Sequence, residues 1–432
     1  MNLALALSSR IAIRSSFVRI HAIALLIVAF AASVAPASDA WPQFRGPTGD
    51  GHSDAKGLPL TWSETPAKNL KWRTAVPGEG WSSPVVQGTQ VWMTTAVNKG
   101  KSLRAICIDR DNGQIVYDIE LFTPSDPGKI HQLNSYASPT PVIEDGRVYC
   151  HFGNFGTAAI DTKTGKPAWK TTEFNGVIYT VGPGSSPILF EDKLIVHCDG
   201  INARFLLALN KDTGKIAWKT PRSNVIKKTE QQEKSFCTPV LVEVNGKKQL
   251  VSIHADAVSG YDPATGRELW QLKYEGYSNV ALPVIGHGHV YMSTGYDNAQ
   301  FWAFKLGGSG ALPAKNVTWK VTRGIGKRVS PMLVGDELYL MNDEGVALCL
   351  DAKTGEQHWQ QRVGGQYCAS PVYVDGRIYF FDMEGTATVI APGKEYKELA
   401  KNKLGDGFMG SPAIAGKAFF LRSKTAVYRV EE

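Results

Sequence analysis

Six side chains in this 432-residue chain have the types that a binding site for an anionic or sugar-like group would need: Trp81, Tyr136, Phe236, Lys234, Arg328 and Gln366. Aromatic faces supply contact area, and the guanidinium, ammonium and amide supply donors. They are far apart in sequence, but four share a position. Trp81, Tyr136, Phe236 and Arg328 each stand three residues before a proline of a recurring set: Pro84, Pro139, Pro187, Pro239, Pro283, Pro331, Pro371 and Pro412. Such a register predicts a ring that also holds Gly184, Val280, Cys368 and Met409. The ring has two readings, a ligand-binding funnel or a plug that stiffens the mouth of a channel.

Other chemistry is thinly represented. His287-Gly288-His289 falls where other repeats have Asp-Gly, so a solvent-facing turn is expected rather than a metal ligand pair. Cys150-His151 and His197-Cys198 are the only other soft-donor neighbours, and metal binding by them is the lesser reading. Asp109 to Gly113 resembles the start of a calcium loop but lacks the distal glutamate. No G-x-S-x-G, phosphate loop or H-E-x-x-H is present, so no catalytic residue and no metal is predicted. The six cysteines include no adjacent pair and no C-x-x-C, and their apolar strand-like settings suit buried thiols.

The elements that position the ring follow from the prolines' spacing. Intervals of 40 to 55 residues match one four-stranded propeller blade. The residue two before each proline is small (Ser82, Ala137, Ser185, Cys237, Ala281, Val329, Ala369, Gly410), as a crowded axis requires. The residue just before it is Ser or Thr in seven cases, with Leu282 the exception. In the second repeat, strands are expected at 138–143, 147–151 and 158–161, with a fourth beginning at 168. A turn then recurs as AIDTKTGKPAW, ALNKDTGKIAW, GYDPATGRELW and CLDAKTGEQHW, ending on Trp169, Trp218, Trp270 and Trp359. Asp or Asn satisfies turn amides, Gly supplies positive φ, and Trp is large enough to wedge between blades. Trp319 and Trp72 have the same fourth-strand character. The last repeat stops after three strands. The segment around Asn69–Arg73 should therefore supply its fourth and close the ring, which leaves no open sheet edge.

These motifs resemble the PQQ-like β-propeller repeat family, also called quinoprotein-like propellers, whose tryptophan-docking turn matches at the four tryptophans just named. The likeness runs from about Trp41 to the end of the chain, and WPQFRGPTGDG at 41–51 is similar to the start of secreted planctomycete-type members. The resemblance implies an all-β, eight-bladed propeller of four-stranded antiparallel blades. It also implies a choice of roles: a binding or scaffolding protein for an envelope protein or small ligand, a periplasmic PQQ- and calcium-dependent oxidoreductase, or an outer-membrane β-barrel assembly scaffold like BamB. The dehydrogenase branch uses an adjacent cysteine pair and an acid cluster. Neither can be placed here, so the expectation is a non-enzymatic protein with no cofactor.

Residues 1–40 read as a signal peptide, with Arg10, Arg14 and Arg19 before an apolar run and cleavage near 37 or 40. That implies a periplasmic or secreted protein without a membrane span after cleavage. Removing it takes the formal charge from +7 to +5. Basic residues are scattered, which argues against nucleic acid. Residues 41–68 are expected to pack on the propeller as an extension, and 69–432 to form it. Two long loops, roughly 121–136 and 221–236, should feed the ring of aromatic and basic residues.

Overall fold

In the computed structural model, residues 39–174, 176–223 and 229–432 are described. The expected signal peptide lies outside the described residues, apart from its last two positions.

The body is all-β and forms an eight-bladed propeller. Each blade is an antiparallel meander, because alternating buried and exposed residues are joined by turns too short for any other connection. Blade one comprises Val85–Gln87, Gln90–Val97, Ser102–Asp109 and Ile115–Phe122. The second strands are almost wholly buried, as at Gln90–Val97, and the outermost strands alternate, as at Ile216–Pro221. The core is therefore a set of wedges between neighbouring sheets rather than one central mass.

Blade eight is closed by the chain's start. Leu70–Ala75 pairs antiparallel with Ala426–Val430, with Arg73 opposite Tyr428 and Ala75 opposite Ala426. Arg422 bolts the seam to blade one: its Nη1 donates to Ser82 Oγ at 2.7 Å and Thr94 O at 2.8 Å. Two blades gain a fifth strand. His52–Ser53 adds parallel to Val372–Val374 in blade seven, and Gly310–Ala311 adds parallel to Glu268–Lys273 in blade four.

Blades are docked by the tryptophan turns. The indole N–H of Trp72, Trp169, Trp218, Trp319 and Trp359 donates to a turn carbonyl of the next blade: Arg110, Lys211, Pro263, Ala352 and Gly393, at 2.8 to 3.2 Å. Tyr117 does the same in blade one, to Lys163 O at 2.7 Å. The turn glycine has two functions. Gly214 has φ +71°, and a Cβ there would lie 2.6 Å from the Trp169 ring. Trp270 departs from the set. Blade five has an insertion in place of the receiving turn, so this indole donates to Gln249 Oε1 in its own blade while its ring meets Phe304 edge-on.

One alignment is corrected. Blade two has two prolines, Pro139 and Pro141, and its inner strand starts at Val142 rather than at 138. Pairing of Val142 with Tyr149 matches that of Val85 with Trp92, so Pro141 is the equivalent of Pro84. Thr140, not Ser138, therefore stands in the Ser/Thr position, and Ser138 replaces Tyr136 in the ring three residues before.

With that shift the axis acquires a continuous hydrogen-bonded collar. Each Ser or Thr hydroxyl accepts from the backbone N–H of the equivalent residue one blade earlier: Ser83 N to Thr140, Thr140 N to Ser186, and Ser186 N to Thr238, at 2.8 to 2.9 Å. The chain resumes with Leu282 N to Ser330, Ser330 N to Ser370, Ser370 N to Ser411 and Ser411 N to Ser83, at 2.8 to 3.1 Å. Only the Thr238 link is missing, because Leu282 has no hydroxyl to receive it. The collar fixes the inner strands against one another where side chains must be small.

Candidate functional site

The inner strands enclose a cavity of about 610 Å³ that opens at the face carrying the long loops. Its floor is the collar: Ser83, Thr140, Ser186, Thr238, Ser330, Ser370 and Ser411 all line it. All seven are at least 95% buried. Phe44 lines it from the N-terminal segment. That segment crosses the axis. Trp41 bridges to Val86 in blade one, Pro42 O accepts from Ile143 N in blade two, and Arg45 donates to Pro331 O and Pro371 O in blades six and seven. Arg45 is 1% exposed, and burial draws its pKa down to about 10. The segment is thus clamped at both sides, with Phe44 between the clamps.

The wall above the floor carries most of the residues expected from the sequence. Trp81, Phe236, Lys234 and Arg328 line the cavity, together with Gly184, Val280, Cys368 and Met409. Tyr136 and Gln366 are not among the lining residues. Tyr136 stands two residues too early because of the double proline; its hydroxyl donates to Gly128 O and its ring packs on Gly100. Gln366 is exposed, and its carbonyl accepts from Met383 N. The two long loops do reach the cavity, contributing His131, Leu133 and Asn134 from the first and Gln231 from the second.

Lys327, Tyr277 and Tyr296 line the wall without having been singled out in the sequence. The Lys327 ammonium lies 4.6 Å from the Tyr296 ring centroid. Only Lys327, the neighbour of Arg328, carried a signal that could have found it. The carboxylates on the wall are Asp343 and Glu344. Asp343 Oδ1 accepts from the backbone N–H groups of Lys327 and Arg328 and lies 3.3 Å from Arg328 Nε.

The wall's donors are under-used. Arg328 Nη1 and Trp81 Nε1 are buried and have no hydrogen-bond partner among the described residues. Lys234 Nζ donates to Gln231 Oε1 at 2.8 Å and Thr180 Oγ1 at 3.4 Å, both neutral, and burial lowers its pKa. A buried donor without an acceptor is costly, so these groups favour an acceptor-rich guest. Three cations outnumber two carboxylates, one of which is already engaged.

The other candidates lie elsewhere. His151 Nδ1 meets Thr157 Oγ1 at 2.8 Å, and burial lowers its pKa to about 3. His197 lies between Asp199 and the Arg222 guanidinium, in a fully buried cluster. Arg222 Nε donates to Asp199 Oδ1 at 3.0 Å, Nη2 to Ser252, and Nη1 to Tyr261 OH. Both histidines are buried in the blades and neither lines the cavity. His287 sits at a two-stranded turn with φ 50°, exposed. All six cysteines are free.

Comparison with known proteins places this geometry in context. The family model described as outer membrane protein assembly factor BamB matches residues 104–310 and 299–395. Tetrathionate hydrolase of Acidithiobacillus ferrooxidans is 23% identical over 343 residues, which is 72% of this chain and 64% of that protein. The chain thus spans less than two thirds of that relative's length. Among solved structures, a europium-containing methanol dehydrogenase superposes with a TM-score of 0.70 at 13% identity, covering 90% of each chain. The quinohemoprotein alcohol dehydrogenase of Comamonas testosteroni gives 0.67 at 11%, covering 90% of this chain and 80% of the other. BamB from Moraxella catarrhalis gives 0.57 at 13%, covering 83% and 99%. At such identities the structural likeness speaks for the fold alone.

Proposed function

Because the chain belongs to the BamB-like family of PQQ-like propeller repeats, we propose that it is an exported binding protein that captures a small anion in the axial funnel. The observation that carries this reading is the pair of buried, unpartnered donors, Arg328 Nη1 and Trp81 Nε1, on the wall of a 610 Å³ cavity that also holds Lys234 and Lys327. A sugar-like guest fits less well, since it brings as many donors as acceptors. The similarity to a tetrathionate hydrolase supports an oxyanion of sulfur as the first ligand to try. Among the described residues no helix is long and apolar enough to cross a membrane.

The proposal includes no calcium-held quinone, and its residues do not suit one. Asp343 and Glu344 are the carboxylates lining the cavity, and Asp343 is already engaged by Lys327 and Arg328. Among the described residues no group of three or more His, Cys, Asp or Glu side chains is arranged to hold a metal ion. We assign no catalytic residue, and Arg328, Trp81, Lys234 and Lys327 are placed as binding groups.

A second reading, docking of a protein segment at the same mouth, draws on the family description and on Val280 and Tyr296, which are 39% and 51% exposed there. Calorimetric titration separates the two. Tetrathionate should bind saturably, glucose should not, and Arg328→Gln should weaken tetrathionate by roughly tenfold or more, the cost of a charge-assisted bond. Absence of heat with tetrathionate, sulfate and thiosulfate alike would end the anion reading. Recovery of an envelope protein on the same surface, lost in Tyr296→Asp, would favour the second.

A further inference from the structure

The long loop that brings Lys234 to the cavity is fastened at both ends to one place. That place is the open end of the hairpin formed by Lys193–Asp199 and Arg204–Asn210, where Asp199 faces Arg204. At the loop's entry, Arg222 N donates to Arg204 O at 3.1 Å, and Arg222 Nε donates to Asp199 Oδ1 at 3.0 Å. At its exit, Ser235 N donates to Asp199 O at 3.3 Å, and Glu233 Oε2 lies 3.2 Å from Arg204 Nε. Lys234 stands between those two exit ties, and its own carbonyl accepts from Ser278 N at 2.7 Å. Asp199 thus grips the entry with its carboxylate and the exit with its backbone.

The Asp199 and Arg222 side chains are both 0% exposed. His197 Nε2 lies 2.9 Å from Asp199 Oδ2, and Ser252 Oγ and Tyr261 OH accept from Arg222 Nη2 and Nη1. Burying two charges is costly, and apolar residues of similar volume would serve stability as well or better. A wholly buried pair at the base of a loop is better accounted for by what it holds in place. Blade six has a carboxylate at the same position. Asp199 stands four residues after Ile195, which pairs with Ile188 of the inner strand, and Asp343 stands four after Tyr339, which pairs with Met332. Asp343 Oδ1 lies 3.3 Å from Arg328 Nε and accepts from the Lys327 and Arg328 backbone N–H groups. One carboxylate position, in two blades, therefore holds a segment that delivers a cation to the funnel.

We infer that Asp199 is the positioning residue for Lys234: through Arg222 and Ser235 it closes the loop onto the hairpin and so sets where the ammonium stands in the funnel. Two ends tied at one place leave a loop far fewer conformations than a single tie would. The ammonium itself donates to the neutral Gln231 Oε1 and Thr180 Oγ1, so among the described residues no carboxylate fixes it from its own end. This rests on the anion reading above and adds the residue that places one of its binding groups.

The test is a double-mutant cycle on the full chain, read by calorimetric titration with tetrathionate. Lys234→Gln should weaken binding by roughly tenfold or more, the loss of one charge-assisted bond. Asp199→Asn should weaken it by a similar factor, and the double variant should bind within about twofold of the weaker single. The same cycle with Arg328→Gln in place of Lys234→Gln should be additive, because Asp343 holds that residue. A merely structural role for Asp199 would couple to both cations or to neither. If Asp199→Asn does not fold, Arg204→Gln, which cuts the tie to Glu233 and keeps the rest, carries the same two cycles. Additive losses for Asp199→Asn with Lys234→Gln, equal coupling to Lys234 and Arg328, or a Lys234→Gln variant that binds as wild type would overturn the inference and leave the anion reading standing. No heat from the wild-type protein would remove the anion reading and this inference with it.

Discussion

Removing the N-terminal segment should unfold the whole ring. A chain beginning at Val76 loses Leu70–Ala75, the fourth strand of blade eight, and everything that leads to it. The losses can be added from named contacts. Trp72 gives up its bond to Arg110 O and its ring contact with Phe420. Trp62, 3% exposed, gives up its stacking on Tyr379 and Phe381 across blade seven and its contact with Phe419 in blade eight. Trp41, 1% exposed, leaves blade one. Deleting one buried aromatic costs about 3–5 kcal/mol, so Trp41 and Trp62 together cost about 6 kcal/mol or more, and the half-buried Trp72 and the ladder hydrogen bonds add to that. That is comparable to the roughly 5–15 kcal/mol of net stability a native protein has. The expected result is a truncated chain without near-UV circular dichroism, with a cooperative melt restored by adding a peptide of residues 41–75. A truncated chain that melts cooperatively within a few degrees of the full one would refute the account of ring closure.

Further outcomes follow from the same structure. Trp218→Ala should cost roughly 1–3 kcal/mol, since it strips a half-buried ring and its bond to Pro263 O from a blade interface, whereas Trp81→Ala should leave the melting temperature nearly unchanged and weaken anion binding; denaturant titration and calorimetry read the two. Gly214→Val should destabilise by several kcal/mol, because it adds both a positive-φ strain and a clash with the Trp169 ring, and its crystal structure should show that ring displaced. Stability should fall in acid. His151 and His254 are held at about 3 by burial, below the ordinary imidazole value. Both are neutral in the fold and take a proton when unfolded, so stability is full above pH of about 6.5 and is lost as pH falls from there toward 3. Two such groups amount to roughly 5 kcal/mol between pH 7 and pH 4.5. Urea melts across that range should show it, and a His151→Gln, His254→Gln variant should flatten it.

The architecture was legible because propeller repeats write their physics locally. A turn that needs glycine, a tryptophan that needs a neighbour and an axis that admits only small residues each recur on one period. Tyr136 was misplaced because two prolines two residues apart give the same sequence signal, and only the pairing of Val142 with Tyr149 chooses between them. The collar's Ser/Thr pattern was visible, but the partner of each hydroxyl lies one blade, some 40 residues or more, away. Tyr277 and Tyr296 come from loops with no period, and Phe44 comes from a segment outside the repeat. Trp270 looked like its equivalents because its own turn is regular; the difference lies in the insertion of the next blade, which removes the carbonyl it would have met.

The axial funnel is proposed to bind an anion at Arg328 and Trp81 on its wall. A crystal soaked in tetrathionate and measured for anomalous scattering of sulfur tests it most directly. Density is expected inside the funnel, in contact with Arg328, and should be lost in Arg328→Gln. A funnel holding only water at saturating tetrathionate, or sulfur density confined to the outer surface, would contradict it.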